Sequence, residues 1–327
     1  MSTIPRDVTD AADALFAPDA PHGLSLALVV RHGGEVVFER YGTQPDTLFG
    51  PGEVVTADTT LISWSMAKSI THAAVGIAVG DGMLQLDAPA PVPEWEGTSK
   101  AAITLEQLLE MRSGLEFVED YVDAGVSHCI EMLFGEGADD MAAYAASQQL
   151  LHAPGDVWNY ASGTTNIISR ILGEVVGGGQ EAMEAFLRER LFEPIGMHSA
   201  TPKFDTAGTF VGSSYLYATA LDFSRFGQLY LDDGVTPDGD RLLPEGWREH
   251  ARTFAASDPV DGFDYGRHWW LWPAFPGTFG AHGYEGQYTI VSPERDLVVV
   301  HLGKSPFDQR ASLVEHLHRV VGAFPNA

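Results

Sequence analysis

Apolar residues near both ends of the chain fall into short paired runs that predict β-hairpins. Residues 24–30 and 35–41 are two such runs, and Gly33-Gly34 lies in the turn between them. Residues 288–291 and 297–301 form a second pair around a turn that contains Pro293. Apolar runs joined by a Gly- or Pro-containing turn are typical of hairpins. Over residues 308–321 the apolar positions recur with helical spacing and predict a final amphipathic helix.

The middle of the chain has helical patterns. They predict helices over residues 65–79, 104–111, 165–176, 181–192 and 223–231. Thr104 and Gln107 form a capping-box pair at the start of the second helix. Strands at both ends with helices between them predict an α+β fold, in which one antiparallel sheet is formed by the two terminal segments.

We expect a single domain over residues 1–327 with two lobes. The sheet lobe comprises about residues 20–60 and 265–327, and the helical lobe about residues 61–264. A cleft between two such lobes is a usual place for an active site.

The charge of the chain narrows the range of partners. Its 45 acidic and 19 basic residues give a net charge of −26. Such a surface repels phosphate backbones and anionic lipids, so we expect neither nucleic-acid nor membrane binding. Two interpretations of the acidity remain open: general solubility, or a preference for neutral or cationic small molecules.

Cysteine usage and the terminal sequence predict a cytoplasmic protein. Cys129 is the single cysteine, so no intrachain disulfide can form, and we interpret it as a buried, inert thiol. The first residues lack the basic and apolar regions of a signal peptide, and no apolar run reaches the ~18 residues of a membrane helix. A homodimer remains open.

Ser65-Met66-Ala67-Lys68 opens the first predicted helix and is a candidate nucleophile–base pair. Side chains three residues apart on a helix can meet, and a serine hydroxyl needs a base to become a nucleophile. Burial or a positive neighbourhood lowers a lysine pKa enough for this role. The alternative is a helix start with Ser65 as cap and Lys68 in solvent.

Two further segments carry candidate chemistry. Tyr160-Ala161-Ser162 precedes a predicted helix, and its phenol can relay a proton to a leaving group. Residues 281–287 come at the entrance of a predicted strand, where an amide next to Gly283 can help to hold an oxyanion. The alternatives are a packed loop tyrosine and a β-bulge.

The three segments together resemble the motifs of the penicillin-recognising serine hydrolases, specifically the class C β-lactamase-like group. That resemblance implies an acyl-enzyme mechanism with Ser65, Lys68 and Tyr160 as catalytic residues and the amides of Ser65 and Tyr284 as the oxyanion hole. It also implies that Ser162, His282 and Gly283 contact the substrate. Within the group the chain looks most similar to the 6-aminohexanoate-dimer hydrolase and esterase branch, in which a tyrosine at the position of Tyr121 contacts the substrate amide.

Departures from the family pattern narrow the expected substrates. Ala281 stands where β-lactamases have a cationic residue that holds the substrate carboxylate, and His282 is one position away. We therefore expect a hydrolase of small esters or amides. A β-lactamase or D-alanyl-D-alanine carboxypeptidase, and a non-catalytic binding protein on the same fold, remain as alternatives.

Other catalytic motifs are missing from the sequence. There is no Gly-x-Ser-x-Gly elbow, no His-Glu-x-x-His and no Gly-rich nucleotide loop, and the 12 histidines show no ligand spacing. We expect no metal and no cofactor. Trp269, Trp270 and Trp272 either wall the acyl pocket or pack in the core.

Overall fold

The computed structural model describes residues 4–46, 51–122, 126–258 and 260–326. Within these ranges the helices are α1 (Arg6–Leu15), α2 (Ala67–Gly80), α3 (Leu105–Leu109), α4 (His128–Phe134), α5 (Met141–Ser147), α6 (Ser162–Val175), α7 (Gly179–Leu187), α8 (Ala220–Leu231), α9 (Trp247–Arg252) and α10 (Arg310–Gly322). The strands are β1 (Leu24–His32), β2 (Glu35–Tyr41), β3 (Leu61–Ile62), β4 (Thr201–Pro202), β5 (Leu216–Ala218), β6 (Ala256–Ser257), β7 (Asp264–Tyr265), β8 (Trp270–Leu271), β9 (Phe279–Gly283), β10 (Gln287–Ser292) and β11 (Leu297–Lys304). Residues 47–50 of the predicted sheet lobe lie outside the described ranges.

One large antiparallel sheet joins the two ends of the chain. Its strand order is β2-β1-β11-β10-β9-β8-β7-β6, and β3, β5 and β4 form a separate small sheet. Both predicted hairpins are confirmed, as β1–β2 and β10–β11. Gly33 and Gly34 adopt φ of +61° and +78°, a conformation that glycine accepts without steric penalty. The pairing of β1 with β11 makes the N-terminal hairpin continuous with the C-terminal one.

The large sheet is buried on both faces, which explains the apolar runs of its central strands. Leu28 and Val30 of β1 pack in a core cluster with α1 and α10. Leu26 and Val29, which point to the opposite face, belong to the larger cluster that includes α2, α6 and α8. Strands covered on both faces lose the polar alternation of half-exposed strands. The predicted α+β fold is confirmed.

Several predicted boundaries differ from the structure. The helix expected from residue 65 begins as a 3₁₀ turn, Trp64–Met66, and becomes α-helical at Ala67. The helix expected over residues 181–192 continues past α7 as a π-helical turn, Arg188–Phe192. The large sheet reaches back to β6 and β7, before the predicted boundary at 265. Four helices were not predicted: α1, α4, α5 and α9.

No helix in the described ranges combines the length and the apolar character needed to cross a lipid bilayer.

Alanine substitutions at two helical glycines test how closely α8 packs on the sheet. A Cβ added at Gly227 would lie 2.5 Å from Val298 Cγ1, whereas a Cβ at Gly173 in α6 would meet nothing within 4 Å. We expect Gly227→Ala to lower the free energy of unfolding by about 1–3 kcal/mol through overpacking. Gly173→Ala is the matched control and raises it by about 0.5–1 kcal/mol, since alanine is the better helix former. Urea unfolding midpoints give both values, and an unchanged midpoint for Gly227→Ala contradicts this close packing.

Candidate active site

Ser65 lies in the 3₁₀ turn that leads into α2, and the backbone before it is constrained. Trp64 has a φ of 44°, in the left-handed region that bulky residues rarely adopt. Such conformations persist where the surrounding structure holds them. The Trp64 ring packs edge-on against Tyr284, with ring centroids 5.9 Å apart. This contact connects the turn that carries Ser65 to the segment that carries Tyr284.

Gly283 lets the end of β9 approach the turn at Ser65. A Cβ at Gly283 would lie 2.3 Å from the carbonyl oxygen of Ser63, so no other residue fits without moving the backbone. Tyr284 follows this contact directly, and Glu285 then takes a left-handed φ of 61°. The sequence placed Gly283 at a strand entrance, but the structure places it at the end of β9, before the short connection to β10. The glycine is needed for this close approach.

Lys68 is buried, and its amine makes three hydrogen bonds. Its side chain is 2% exposed, and Nζ donates hydrogen bonds to Ser65 Oγ at 2.9 Å, Ser162 Oγ at 3.0 Å and the Ser213 carbonyl at 3.0 Å. Three acceptors match the three N–H bonds of an ammonium group. The alternative of a solvent-facing lysine is therefore wrong. Burial lowers the pKa of Lys68, and the negative charge of Glu119 acts in the opposite direction.

Glu119 is a member of the site that sequence reasoning missed. Its Oε1 accepts a hydrogen bond from Ser162 Oγ at 2.6 Å, and its Oε2 accepts one from the Ser162 amide at 2.8 Å. Tyr121 Oη donates to the same Oε1 at 2.8 Å. The position of Glu119, two residues before Tyr121, was the one available signal. Nothing in the sequence indicates that Glu119 pairs with the distant Ser162. Ser162, expected at the substrate, joins Lys68 to this carboxylate.

Tyr160 lies beside Lys68. Lys68 Nζ is 4.9 Å from the centroid of the Tyr160 ring, and that ring packs between Trp270 and Tyr265 at centroid distances of 5.3 and 5.8 Å. Burial and the Glu119 charge raise the pKa of Tyr160, and a hydrogen bond with Ser65 acts against this rise. The phenol is therefore protonated at neutral pH and can donate a proton.

Tyr121 and Tyr284 form a pair above Ser65. Their ring centroids are 4.9 Å apart. Both tyrosines and Ser65 line a cavity of about 570 Å³, whose walls also include Trp158 and Trp270. Of the three clustered tryptophans only Trp270 reaches this cavity, because Trp269 and Trp272 are buried in the core.

His282 lines the same cavity but carries no positive charge. Burial holds the pKa of His282 well below its ordinary value. Its Nε2 accepts a hydrogen bond from Trp272 Nε1 at 2.9 Å, which leaves the ring proton on Nδ1. Ala281 is 1% exposed and faces the core. Neither residue therefore supplies the cation that a β-lactam carboxylate would need.

Arg310 is the one cationic residue among the described residues that line this cavity, and it is already paired. Its guanidinium bonds to the carboxylate of Asp261 on the same wall. Glu119 and Asp258 add further negative charge. The cavity is aromatic and acidic.

Cys129 lies beside this network. Its side chain is 1% exposed, as expected of a buried thiol, and its Sγ is 3.6 Å from Glu119 Oε1. Burial, followed by the Glu119 charge, raises the pKa of this thiol, so it stays protonated and unreactive.

The β-lactamase family model matches residues 12–321, nearly the whole length. The chain belongs to the β-lactamase family. This is a family of serine hydrolases that includes amidases, esterases and β-lactamases. The resemblance expected from the three sequence motifs is thereby confirmed.

Individual β-lactamase-family relatives are distant. The 6-aminohexanoate-dimer hydrolase of Paenarthrobacter ureafaciens is 27% identical over 300 residues, which cover 86% of this chain and 72% of that protein. The structure of a family VIII carboxylesterase superposes with a TM-score of 0.72 at 16% identity, over 98% of this chain and 99% of the other. A class C β-lactamase mutant superposes with a TM-score of 0.71 at 17% identity, over 97% of each chain. At these identities the two structures establish the fold.

The coupling between Glu119 and Lys68 predicts a measurable change in the lysine pKa. In Glu119→Gln the carboxylate that favours the ammonium form is gone, so the Lys68 pKa falls further below its ordinary value. The chain has four lysines, so NMR of selectively labelled lysine side chains gives four signals, and Lys68→Met assigns one of them. We expect the Lys68 titration midpoint to move to lower pH.

Glu116→Gln is the control for this titration. It removes a carboxylate three residues earlier in the sequence that is not among the groups that shift the Lys68 pKa, so we expect the midpoint to stay in place. A midpoint that is unmoved or raised in Glu119→Gln contradicts the coupling.

Proposed function

We propose that this β-lactamase-family protein is a serine hydrolase that cleaves a small ester or amide through an acyl-enzyme on Ser65. One observation carries the proposal: a buried lysine amine lies 2.9 Å from the serine hydroxyl, beside the Tyr160 ring. A nucleophile within hydrogen-bond reach of a base, with a third group that orients the base, is the general signature of covalent catalysis.

The hydrogen-bond directions explain why Ser65 is the residue that becomes activated. When Lys68 Nζ loses a proton it needs a donor, and the Ser213 carbonyl can only accept. The Ser162 hydroxyl already donates to Glu119. Ser65 is the remaining partner that can turn its hydrogen toward the amine. The neutral state of Lys68 therefore pre-aligns the Ser65 proton for transfer.

The acylation step follows from this arrangement. Ser65 Oγ transfers its proton to the neutral amine of Lys68 and forms a bond to the substrate carbonyl carbon. The backbone amides of Ser65 and Tyr284 hold the resulting oxyanion. The tetrahedral intermediate then breaks its bond to the leaving group. Tyr160 donates the proton that this group takes and regains one from Lys68.

Deacylation repeats the same steps with water. A water molecule gives its proton to the neutral amine and attacks the ester carbonyl of the acyl-enzyme. The oxyanion forms against the same two amides, and the released Ser65 Oγ takes back a proton. The acid is freed and the resting enzyme is restored.

The charge of the cavity favours small esters and linear amides over β-lactams and D-alanyl peptides. These alternative substrates present a carboxylate, and on the described cavity wall the single arginine is bonded to Asp261. The neutral His282 offers no second cation. Nitrocefin turnover comparable to that of a simple ester would favour the alternative.

Replacing the nucleophile tests the proposal directly. We expect Ser65→Ala to lower kcat for short-chain p-nitrophenyl esters by about 10⁶-fold, to background. Fluorophosphonate labelling, read by intact mass, disappears with it. Ser147→Ala, which removes an exposed hydroxyl on α5, is the matched control and keeps both signals. Turnover that persists in a folded Ser65→Ala variant refutes the assignment, and a wild-type protein inert to the probe favours a non-catalytic binding protein.

Tyr121 is predicted to serve amide substrates. Tyr121 lines the cavity next to Ser65, and its hydroxyl donates to Glu119, so its oxygen can accept a hydrogen bond from the leaving amine. We expect Tyr121→Phe to reduce kcat/KM for a linear amide more than for the ester of the same acid. Equal losses on the two substrates point to a packing role of the ring against Tyr284.

A further inference from the structure

Two cavities of different size meet at Ser65. The larger, of about 570 Å³, has been described above, and a smaller one of about 100 Å³ lies on the other side of the Tyr121–Tyr284 pair. Ser65, Tyr121 and Tyr284 line both. A substrate carbonyl at Ser65 therefore has one substituent directed toward each cavity.

The walls of the two cavities differ in chemistry. Ile130, Leu133 and Phe134 of α4 form an apolar side of the smaller cavity. Two of its hydroxyl groups are already bonded: Ser162 to Glu119, and Ser214 to Ser213 at 2.9 Å. An apolar substituent fits such a site, since burying an unpaired polar group there is unfavourable.

The position of Tyr160 indicates which part of the substrate lies in which cavity. Tyr160 lines the larger cavity and is not among the described residues that line the smaller one. In acyl transfer the leaving group must depart next to the residue that protonates it. On the mechanism proposed above, the alcohol or amine therefore lies in the larger cavity. The acyl chain is left with the smaller one.

We propose that the smaller cavity is the acyl-binding site and that it selects short, unbranched apolar acyl chains of the butanoyl class. A volume of about 100 Å³ holds about three groups of the size of a water molecule or a methylene. Three carbons beyond the carbonyl are those of a butanoyl group. This inference rests on the proposed hydrolase function and adds the substrate class.

A series of p-nitrophenyl esters with one leaving group and different acyl chains tests the proposal. We expect kcat/KM to rise about fourfold for each methylene buried, which is about 15-fold from acetate to butanoate. For octanoate it falls back to the acetate value or below, because the cavity is full. A profile that is flat, or that rises steadily to octanoate, overturns the acyl-site assignment.

Variants of Ile130 separate the acyl site from a general effect on activity. Ile130 is half-buried on the wall of the smaller cavity and takes no part in the proton transfers. We expect Ile130→Ala to raise the octanoate-to-butanoate ratio of kcat/KM by about tenfold. Ile130→Phe fills the cavity, and we expect it to lower kcat/KM for butanoate to the acetate value or below.

Phe307→Ala is the matched control, because Phe307 is 55% exposed and lines only the larger cavity. It changes the preference among leaving groups and leaves the acyl-chain profile in place. If instead Phe307→Ala shifts the acyl profile and Ile130→Ala shifts the leaving-group preference, the two cavities have been assigned the wrong way round. In that case, acetate turnover that depends on Ser65 still supports the hydrolase function. If the protein turns over no ester at all, both proposals are overturned.

Discussion

The burial of one amine organises this site. Lys68 Nζ is almost completely buried and has three acceptors: the hydroxyl of Ser65 in the 3₁₀ turn, the hydroxyl of Ser162 in α6, and the carbonyl of Ser213 before β5. An unpaired buried charge would be strongly destabilising, and these bonds prevent that. In the proposed mechanism they also leave Ser65 as the partner that responds when the amine loses its proton. The fold and the proposed chemistry thus both require Lys68 to be buried among hydrogen-bond partners.

Two segments of the site pack so closely against their surroundings that only glycine fits. A Cβ at Gly212 would lie 2.3 Å from Thr71 Oγ1 and 2.4 Å from Ser169 Oγ, so the segment that presents the Ser213 carbonyl fits between α2 and α6 only with glycine there. Gly283 has the same function between β9 and the turn at Ser65. Lys68 itself is 2% exposed, and this burial lowers its pKa.

The sequence predicted the features that depend on residues close together along the chain. Ser65 and Lys68 are three residues apart, so helical geometry brings them together without any knowledge of the fold. The hairpins are equally local, since strand pattern and turn lie within a few residues. Motif resemblance added Tyr160 and Gly283. The short helices α4 and α5 were missed because packing, rather than a long periodic pattern, stabilises such elements.

Glu119 and the smaller cavity depend on contacts that no local pattern encodes. Glu119 bonds to Ser162, 43 residues later in the sequence, and the smaller cavity is bounded by Trp64, α4 and Tyr284, which are distant in sequence. The role of His282 also needed coordinates. Its neutral state results from burial and from the Trp272 hydrogen bond, and neither can be read from the residue type. Charge and cavity shape are therefore the parts of this site that emerge only with the fold.

The proposed mechanism requires a covalent bond between the substrate and the Ser65 oxygen. Rapid acid quench of the protein during turnover of p-nitrophenyl butanoate, followed by proteolysis and tandem mass spectrometry, locates that bond. We predict a butanoyl group on Ser65, appearing with the first burst of p-nitrophenol and disappearing as the ester is exhausted. An acyl group on another residue, or turnover with no acylated peptide at any time, would contradict the mechanism.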